Sequence, residues 1–439
     1  MNMPQTLAEL RAGRLAGATR LDLSCGLNEF PREIFGLADT LEILNLSGNA
    51  LDALPDDLGR LHRLRVLFCS DNRFTELPAA IGRCQALEMV GFKANRIRSV
   101  PAAALQLPRL RWLILTDNAI EALPDALGAC TRMQKLMLAG NRLRELPASL
   151  SACSGLELLR ISANRFEQLP GWLLAMPRLA WLAAAGNPFD AGAEDAAIAA
   201  PSVPRVPWRE LALGRQLGEG ASGVIHQATL GAAGRPVAVK LFKGAVTSDG
   251  WPHSEMAASI AAGAHRTLIA AEGRIEGHPE GIEGLVLALV DPAFSTLAGP
   301  PSLDSCTRDV YAQSAQWPAG VALRMARDIA AAMAHLHARG ILHGDLYAHN
   351  ILWRPEGEAR LGDFGAAWMT GALDAAHTRA LQALEMRAFG CLLEELLARC
   401  SDAPPAAAIA LRDRCLQPAP AARPSFAEAL ALLAQAGSP

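Results

Sequence analysis

Asparagine recurs at positions 49, 72, 95, 118, 141, 164 and 187, each 23 residues after the last. A fixed period of this length constrains the fold more than any composition does, because it means one short unit stacked on copies of itself. The pattern around each asparagine is L-x-x-L-x-L-x-x-N-x-L-x-x-L-P, as in residues 41–55, and in residues 110–124 with Ile120 in one leucine slot. The L-x-L stretch reads as a short strand with its leucines turned inward. The asparagine can satisfy backbone groups where the chain leaves the strand, and the Leu-Pro step starts the return leg. No single unit can bury its own apolar edge, so the ends of the array should be atypical. The first unit, around Leu21, Leu23 and Pro31, has Gly26 in the asparagine place, and the pattern stops after Gly186-Asn187-Pro188.

Period and leucine spacing together resemble the leucine-rich repeat over about 150 residues. The resemblance implies an α/β solenoid. Function in such an array lies in the strand positions that alternate with the buried leucines and face the concave side. Phe68, Trp112, Ile114, Met137 and Trp181 fall there. Aromatic anchors gathered on one curved surface mark a binding site for a protein partner or substrate, where scattered apolar residues would mean little. An intramolecular use of this face is the other reading.

The second half is organised around a different stretch. His343-Gly344-Asp345-Leu346-Tyr347-Ala348-His349-Asn350-Ile351-Leu352 is followed by Gly362-Asp363-Phe364-Gly365. An aspartate, an asparagine five residues on and a second aspartate at the next strand end suit phosphoryl transfer. The reaction needs a carboxylate at the attacking hydroxyl, and an amide oxygen plus a carboxylate to hold Mg²⁺ on phosphates. Upstream, Leu217-Gly218-Glu219-Gly220-Ala221-Ser222-Gly223-Val224 carries three glycines at G-x-G-x-x-G spacing between strand-like segments. A dinucleotide-binding loop would need a helix directly after the third glycine, whereas residues 224–229 read as a strand. Val237-Ala238-Val239-Lys240 ends an apolar strand on a lysine, which is costly to bury unless an anion meets it. Two histidines, His335 and His337, lie two apart on a helical stretch and do not share a face, so they make no metal pair.

These elements, in this order, resemble the protein kinase family over roughly residues 211–435. The resemblance implies an α+β bilobal domain using ATP and Mg²⁺. It assigns Asp345 as the base at the acceptor hydroxyl, with Lys240 and Asn350 also catalytic, and Asn350 and Asp363 as Mg²⁺ ligands. It places Leu217, Gly218, Gly220, Ser222, Gly223, Val224, Ala238, Lys240 and Glu255 at the nucleotide, Glu255 being the helix partner of Lys240. Residues 385–397 resemble the central helix of the larger lobe, and Ala422-Arg423-Pro424-Ser425-Phe426 its closing motif.

Several positions depart from the family pattern. Gly344 replaces the arginine that usually precedes the base, and Tyr347 stands where a lysine or an alanine is usual. No Ala-Pro-Glu occurs between Asp363 and residue 385, Arg423 lacks its glutamate partner, and Glu385 replaces an aspartate. The retained Lys-Asp-Asn-Asp set points to an active enzyme; the resemblance implies a Ser/Thr protein kinase, and the alanine-rich composition and short segment after Gly365 suggest a bacterial type. His-Gly-Asp-Leu with Asn-Ile-Leu is also similar to small-molecule phosphotransferases, and the reduced docking segment would suit a pseudokinase scaffold.

The expected layout is a repeat domain over residues 1–190, a Pro/Ala-rich linker over 191–208 and a kinase-like domain over 209–439. With 51% apolar and 19% charged residues the chain can bury its cores, and a net charge of −3 argues against nucleic acid. Residues 1–17 carry charges of both signs and no apolar leader, and no run of about 18 apolar residues suggests a membrane span. Nine cysteines lack C-x-x-C spacing, and Cys84, Cys130 and Cys153 occupy a slot that elsewhere holds leucine or methionine. They read as small buried hydrophobes in a reducing cytoplasm, with leaderless export left open.

Overall fold

The structure is a computed structural model and describes residues 6–200, 203–244, 246–371 and 373–436. The chain forms two compact units, residues 1–160 with 164–176, and residues 161–163 with 177–439.

The first unit is the repeat array. A short helix α1 (Leu7–Arg11), closed by a capping box from Thr6 and Glu9, precedes seven three-residue strands. These are β1 (Arg20–Asp22), β2 (Ile43–Asn45), β3 (Val66–Phe68), β4 (Met89–Gly91), β5 (Trp112–Ile114), β6 (Lys135–Met137) and β7 (Leu158–Arg160). Neighbours pair in parallel with a constant offset of one repeat, from Arg20↔Ile43 to Lys135↔Leu158. Each return leg is a 3₁₀ turn after the Leu-Pro step, as at Asp125–Ala129 behind Pro124.

The asparagines work as a ladder. Asn118 Oδ1 accepts from Ile97 N of the preceding repeat at 2.9 Å, and its Nδ2 donates to Phe92 O and Leu115 O. Asn72, Asn95 and Asn141 repeat this arrangement. The residue before each asparagine is left-handed throughout: Gly48, Asp71, Ala94, Asp117, Gly140, Ala163 and Gly186 have φ between 51° and 72°. Glycine suits that geometry, whereas Ala94 and Ala163 hold it against their own preference.

The second unit begins with the last repeat strand, β8 (Trp181–Ala183), whose Ala183 O accepts from Ile161 N. The stretch after it, expected to be a linker, is structured. Helix α2 (Ala191–Ala199) follows, then β9 (Arg205–Pro207). The alanines read as linker composition are the strongest helix formers. β9 joins the edge of a sheet formed by β10 (Leu211–Glu219), β11 (Gly223–Leu230), β12 (Arg235–Phe242), β13 (Ala271–Glu276) and β14 (Gly284–Leu287). The order is β10-β11-β12-β14-β13-β9, and helix α3 (Pro252–Ala262) packs on it with Met256 and Ile260 against Phe242 and Leu285.

The second lobe holds β15 (Ser295–Thr296), α4 (Ala319–Ala338), β16 (Ile341–Leu342), β17 (Ile351–Trp353), β18 (Ala359–Leu361) and β19 (Trp368–Met369). Helices α5 (Ala375–Leu397), α6 (Ala406–Cys415) and α7 (Phe426–Ala436) complete it. α5 starts ten residues before the expected Glu385, because Asp374 caps it by accepting from Ala376 N and His377 N. The segment after Asp363-Phe364-Gly365 is correspondingly short. Among the described residues no helix is long and apolar enough to cross a membrane, and all nine cysteines are unbridged.

Two substitutions test the ladder. Asn118→Ala should cost about 3 kcal/mol in chemical denaturation, because a buried amide and two carbonyls lose their partner. Ala94→Gly should instead stabilise by up to about 1 kcal/mol, by relieving a left-handed alanine.

Candidate active site

The roof of the site is the β10–β11 hairpin. Gly220 N donates to Gly223 O at 2.9 Å, and Lys243 braces the turn by pairing with Glu219 at 2.6 Å and donating to Gly220 O. A Cβ at Gly223 would stand 2.5 Å from Leu241 O, so close strand approach demands glycine there. Gly218 and Gly220 have open space instead.

Strand alternation decides which side chains face downward. Ile225 stands opposite Lys240, and both line a cavity of about 210 Å³ with Gly220, Ser222, Gly223, Glu255 and Asp363. Val224, expected at the nucleotide, points one step out of phase. It pairs with Leu241 and is not among the lining residues, nor are Leu217, Gly218 and Ala238. Counting from Gly223, the valine place of the family pattern falls on Ile225, so the period of two carries the correction.

Lys240 Nζ donates to Glu255 Oε1, and both groups are buried. Burial pushes the Glu255 carboxyl up, the Lys240 charge pulls it down, and the Asp363 charge raises it again. Below them, His343 is buried and its Nε2 bonds Gly362 O at 3.0 Å, while Asp345 N donates to its Nδ1. Asn350 Nδ2 donates to Asp345 O and Asp345 Oδ2, both at 3.0 Å. The β17–β18 hairpin pairs Ile351 with Leu361, and Gly362 N donates to Asn350 O, which brings Asn350 beside Asp363. Asp363 is left-handed at φ 55° and accepts from Gly365 N.

These residues fit a magnesium–nucleotide. Mg²⁺ takes one or two carboxylates and completes its shell with phosphate and water oxygens. Asn350 and Asp363 supply such a partial set, and no group of three or more His, Cys, Asp or Glu suited to a metal occurs among the described residues. Glu385, buried on α5, accepts from Gly344 N at 2.5 Å and bonds His337 Nε2 at 2.7 Å, so it secures the loop from behind.

Residues 211–402 match the family described as protein tyrosine and serine/threonine kinase, and residues 40–61 match the leucine-rich repeat. The chain carries a protein kinase domain preceded by leucine-rich repeats. The kinase domain is 33% identical over 168 residues to CBL-interacting protein kinase 22 of Oryza sativa subsp. japonica, covering 35% of this chain and 35% of that protein. It is 26% identical over 167 residues to the serine/threonine-protein kinase mos of Xenopus laevis, covering 37% of this chain and 43% of that protein. The chain thus spans well under half the length of these relatives.

Of the five concave-face residues, four form one group in the repeat unit, with Phe68, Trp112 and Ile114 half-buried and Met137 buried. Phe68 lies over Gly91 beside Ile114, and Trp112 Nε1 approaches Met137 Sδ at 3.3 Å with Lys135 over its ring. Trp181 does not join them. It is 2% exposed and stacks on Tyr347 of the kinase domain, so it is not available to a partner.

Sequence reading also passed over His349, whose signal was only its place inside the loop. His349 Nδ1 bonds Asp309 Oδ1 at 2.7 Å. Burial pulls its pKa down, but the bond to Asp309 and the charges of Asp309, Asp345 and Asp363 prevail and raise it above 6.5. A raised folded value means the stabilisation is full below pH 6.5 and is lost as pH climbs through the raised folded value. Thermal melting of the full chain should therefore lose stability as pH rises above 6.5, and Asp309→Asn should flatten that slope.

Proposed function

We propose that the chain is an ATP-dependent protein kinase acting on serine or threonine hydroxyls, its kinase domain beginning near residue 209, with the repeats holding a protein partner or substrate. The observation that carries this reading is the convergence of Lys240, Glu255 and Asp363 around one cavity beneath the glycine loop, with Asn350 bonded to Asp345 and, through its carbonyl, to Gly362 beside Asp363. A scaffold has no physical need for the carboxylate at Asp345. The Ser/Thr class is supported by the likeness to the serine/threonine-protein kinase mos, and the group Phe68, Trp112, Ile114 and Met137 is the surface we assign to the partner. Unbridged cysteines suit a reducing, cytoplasmic setting.

In this reading Lys240, held in place by Glu255, steadies the α- and β-phosphates of ATP, and Gly218, Gly220 and Ser222 cover them from the roof. Leu217, Ile225 and Ala238 would flank the base. Asn350 and Asp363 would hold Mg²⁺, which supplies charge neutralisation at the phosphates. Asp345 accepts the proton of the incoming hydroxyl, and Asn350 keeps its carboxylate aimed through the hydrogen bond to Oδ2.

Transfer from γ-labelled ATP by full-length protein with Mg²⁺ tests the assignment. Asp345→Asn should lower the rate by about a hundredfold or more while leaving nucleotide binding intact. Lys240→Met should chiefly weaken nucleotide use. Nucleotide binding with no transfer by the wild type would favour the scaffold, and label on an added aminoglycoside or alcohol but on no protein would favour a small-molecule phosphotransferase.

A further inference from the structure

Strand β8 and helix α2 lie where no phosphoryl-transfer motif requires anything. The Trp181 indole stacks on Tyr347 with centroids 4.3 Å apart and planes 8° apart, and its Nε1–H donates to Leu346 O at 2.9 Å. The carbonyl of the next residue, Leu182, accepts from Trp368 Nε1 at 3.1 Å, which ties the segment after Asp363-Phe364-Gly365 to the same strand. Phe189 meets Trp368 edge-on at 5.8 Å.

The same stretch reaches the helix that carries Glu255. α2 packs on α3, Ile198 lies against the Met256 and Ile260 core, and Asp195 stands 3.9 Å from His253. At the turn between β8 and α2, a Cβ on Gly186 would be 3.1 Å from Trp251 Cδ1 and 3.3 Å from Ser254 Oγ. Arg423, buried and without a carboxylate, donates to Pro177 O, Gln417 O and Ala383 O at 2.8 to 2.9 Å.

Gly344 makes the consequence concrete. It is left-handed at φ 70°, and a Cβ there would lie 2.7 Å from Leu182 O and 2.5 Å from Ala366 O. An arginine at this position would meet both carbonyls, one from β8 and one from the segment after Gly365, in a backbone conformation that favours glycine.

We propose that residues 177–199 are a fixed brace of the catalytic apparatus. They hold the catalytic loop, the segment after Gly365 and α3 in the arrangement that phosphorylation otherwise imposes on a kinase, with Trp181 as the chief positioning residue. The proposal rests on the phosphoryl-transfer reading of the site, and it predicts turnover that needs no phosphorylation of the protein.

The test uses full-length protein, measuring Mg-ATP hydrolysis with water as acceptor and amide hydrogen exchange. Phosphatase-treated wild type should turn over at the untreated rate. Trp181→Ala should lower kcat by about tenfold or more while KM for Mg-ATP stays within about threefold. Exchange over residues 343–350 should accelerate by about tenfold while residues 41–55 exchange as before. Trp181→Phe, which keeps the stack and loses the N–H bond, should fall between. Should Trp181→Ala fail to fold, Trp181→Phe combined with Trp368→Phe decides by the same readings, since it removes both indole donors and leaves smaller voids than alanine would. Wild-type kcat and exchange in the folded variant, or loss of turnover on dephosphorylation, would overturn the brace. A wild type without hydrolysis, or an unchanged Asp345→Asn, would instead sink the kinase reading, and exchange at 343–350 would still decide whether β8 holds the loop.

Discussion

The ion pair between Lys240 and Glu255 is the interaction on which the kinase domain depends. Each charge alone would cost several kcal/mol to bury, and either without the other would leave an uncompensated charge in the interior. Together they require β12 and α3 to keep one relative pose. Asp363 stands close enough to raise Glu255, and with Asp249 also lining it the cavity holds one cation against three carboxylates. A divalent ion at Asp363 would relieve that imbalance. α3 itself is thin on the buried side, with Ala257 and Ala258 beside Met256, so side-chain bulk cannot fix its position. The pair, and the helix α2 lying over it, do so instead.

In the repeat unit the corresponding constraint is backbone satisfaction. Three-residue strands leave many amides and carbonyls at each strand exit, and the asparagine amide meets one donor and two acceptors at once. That geometry turns the preceding residue left-handed. Aspartate and glycine take it readily, and the array still imposes it on alanine at 94 and 163. The ladder therefore outweighs about 1–2 kcal/mol of local strain at those positions.

Much of this was legible in the sequence because it is local or periodic. The 23-residue asparagine spacing named the solenoid, and the glycine loop, Lys240, Asp345, Asn350 and Asp363 supplied the candidate site by their order and spacing. The readings that failed depended on phase or on distant partners. Val224 and Ile225 differ by one residue, and in a strand one residue is the whole difference between facing a cavity and facing away. Trp181 keeps the spacing of the concave positions, yet its partner Tyr347 is far along the chain, and no periodicity reports such a contact. The Ala-rich stretch read as a linker because composition alone cannot separate a helix that has a surface to cover from one that has none. Here α3 supplies that surface.

The departures at Gly344 and Arg423 look unrelated in the sequence and share one cause in the structure. In a kinase switched by phosphorylation, an arginine before the base waits for a phosphate, and its charge is unsatisfied until the phosphate arrives. Here the space is filled by the Ala366 and Leu182 carbonyls, which cannot be added or removed by a second enzyme. Arg423, deprived of a glutamate, takes carbonyls too, and burial lowers its pKa to about 10 because neutral dipoles compensate a buried cation less than a carboxylate would. Both positions thus exchange a reversible or ionic partner for fixed backbone dipoles, one of them from Pro177 at the head of the same stretch. Backbone carbonyls are present whenever the chain is folded, so an apparatus positioned by them has one state where a phosphate-positioned one has two.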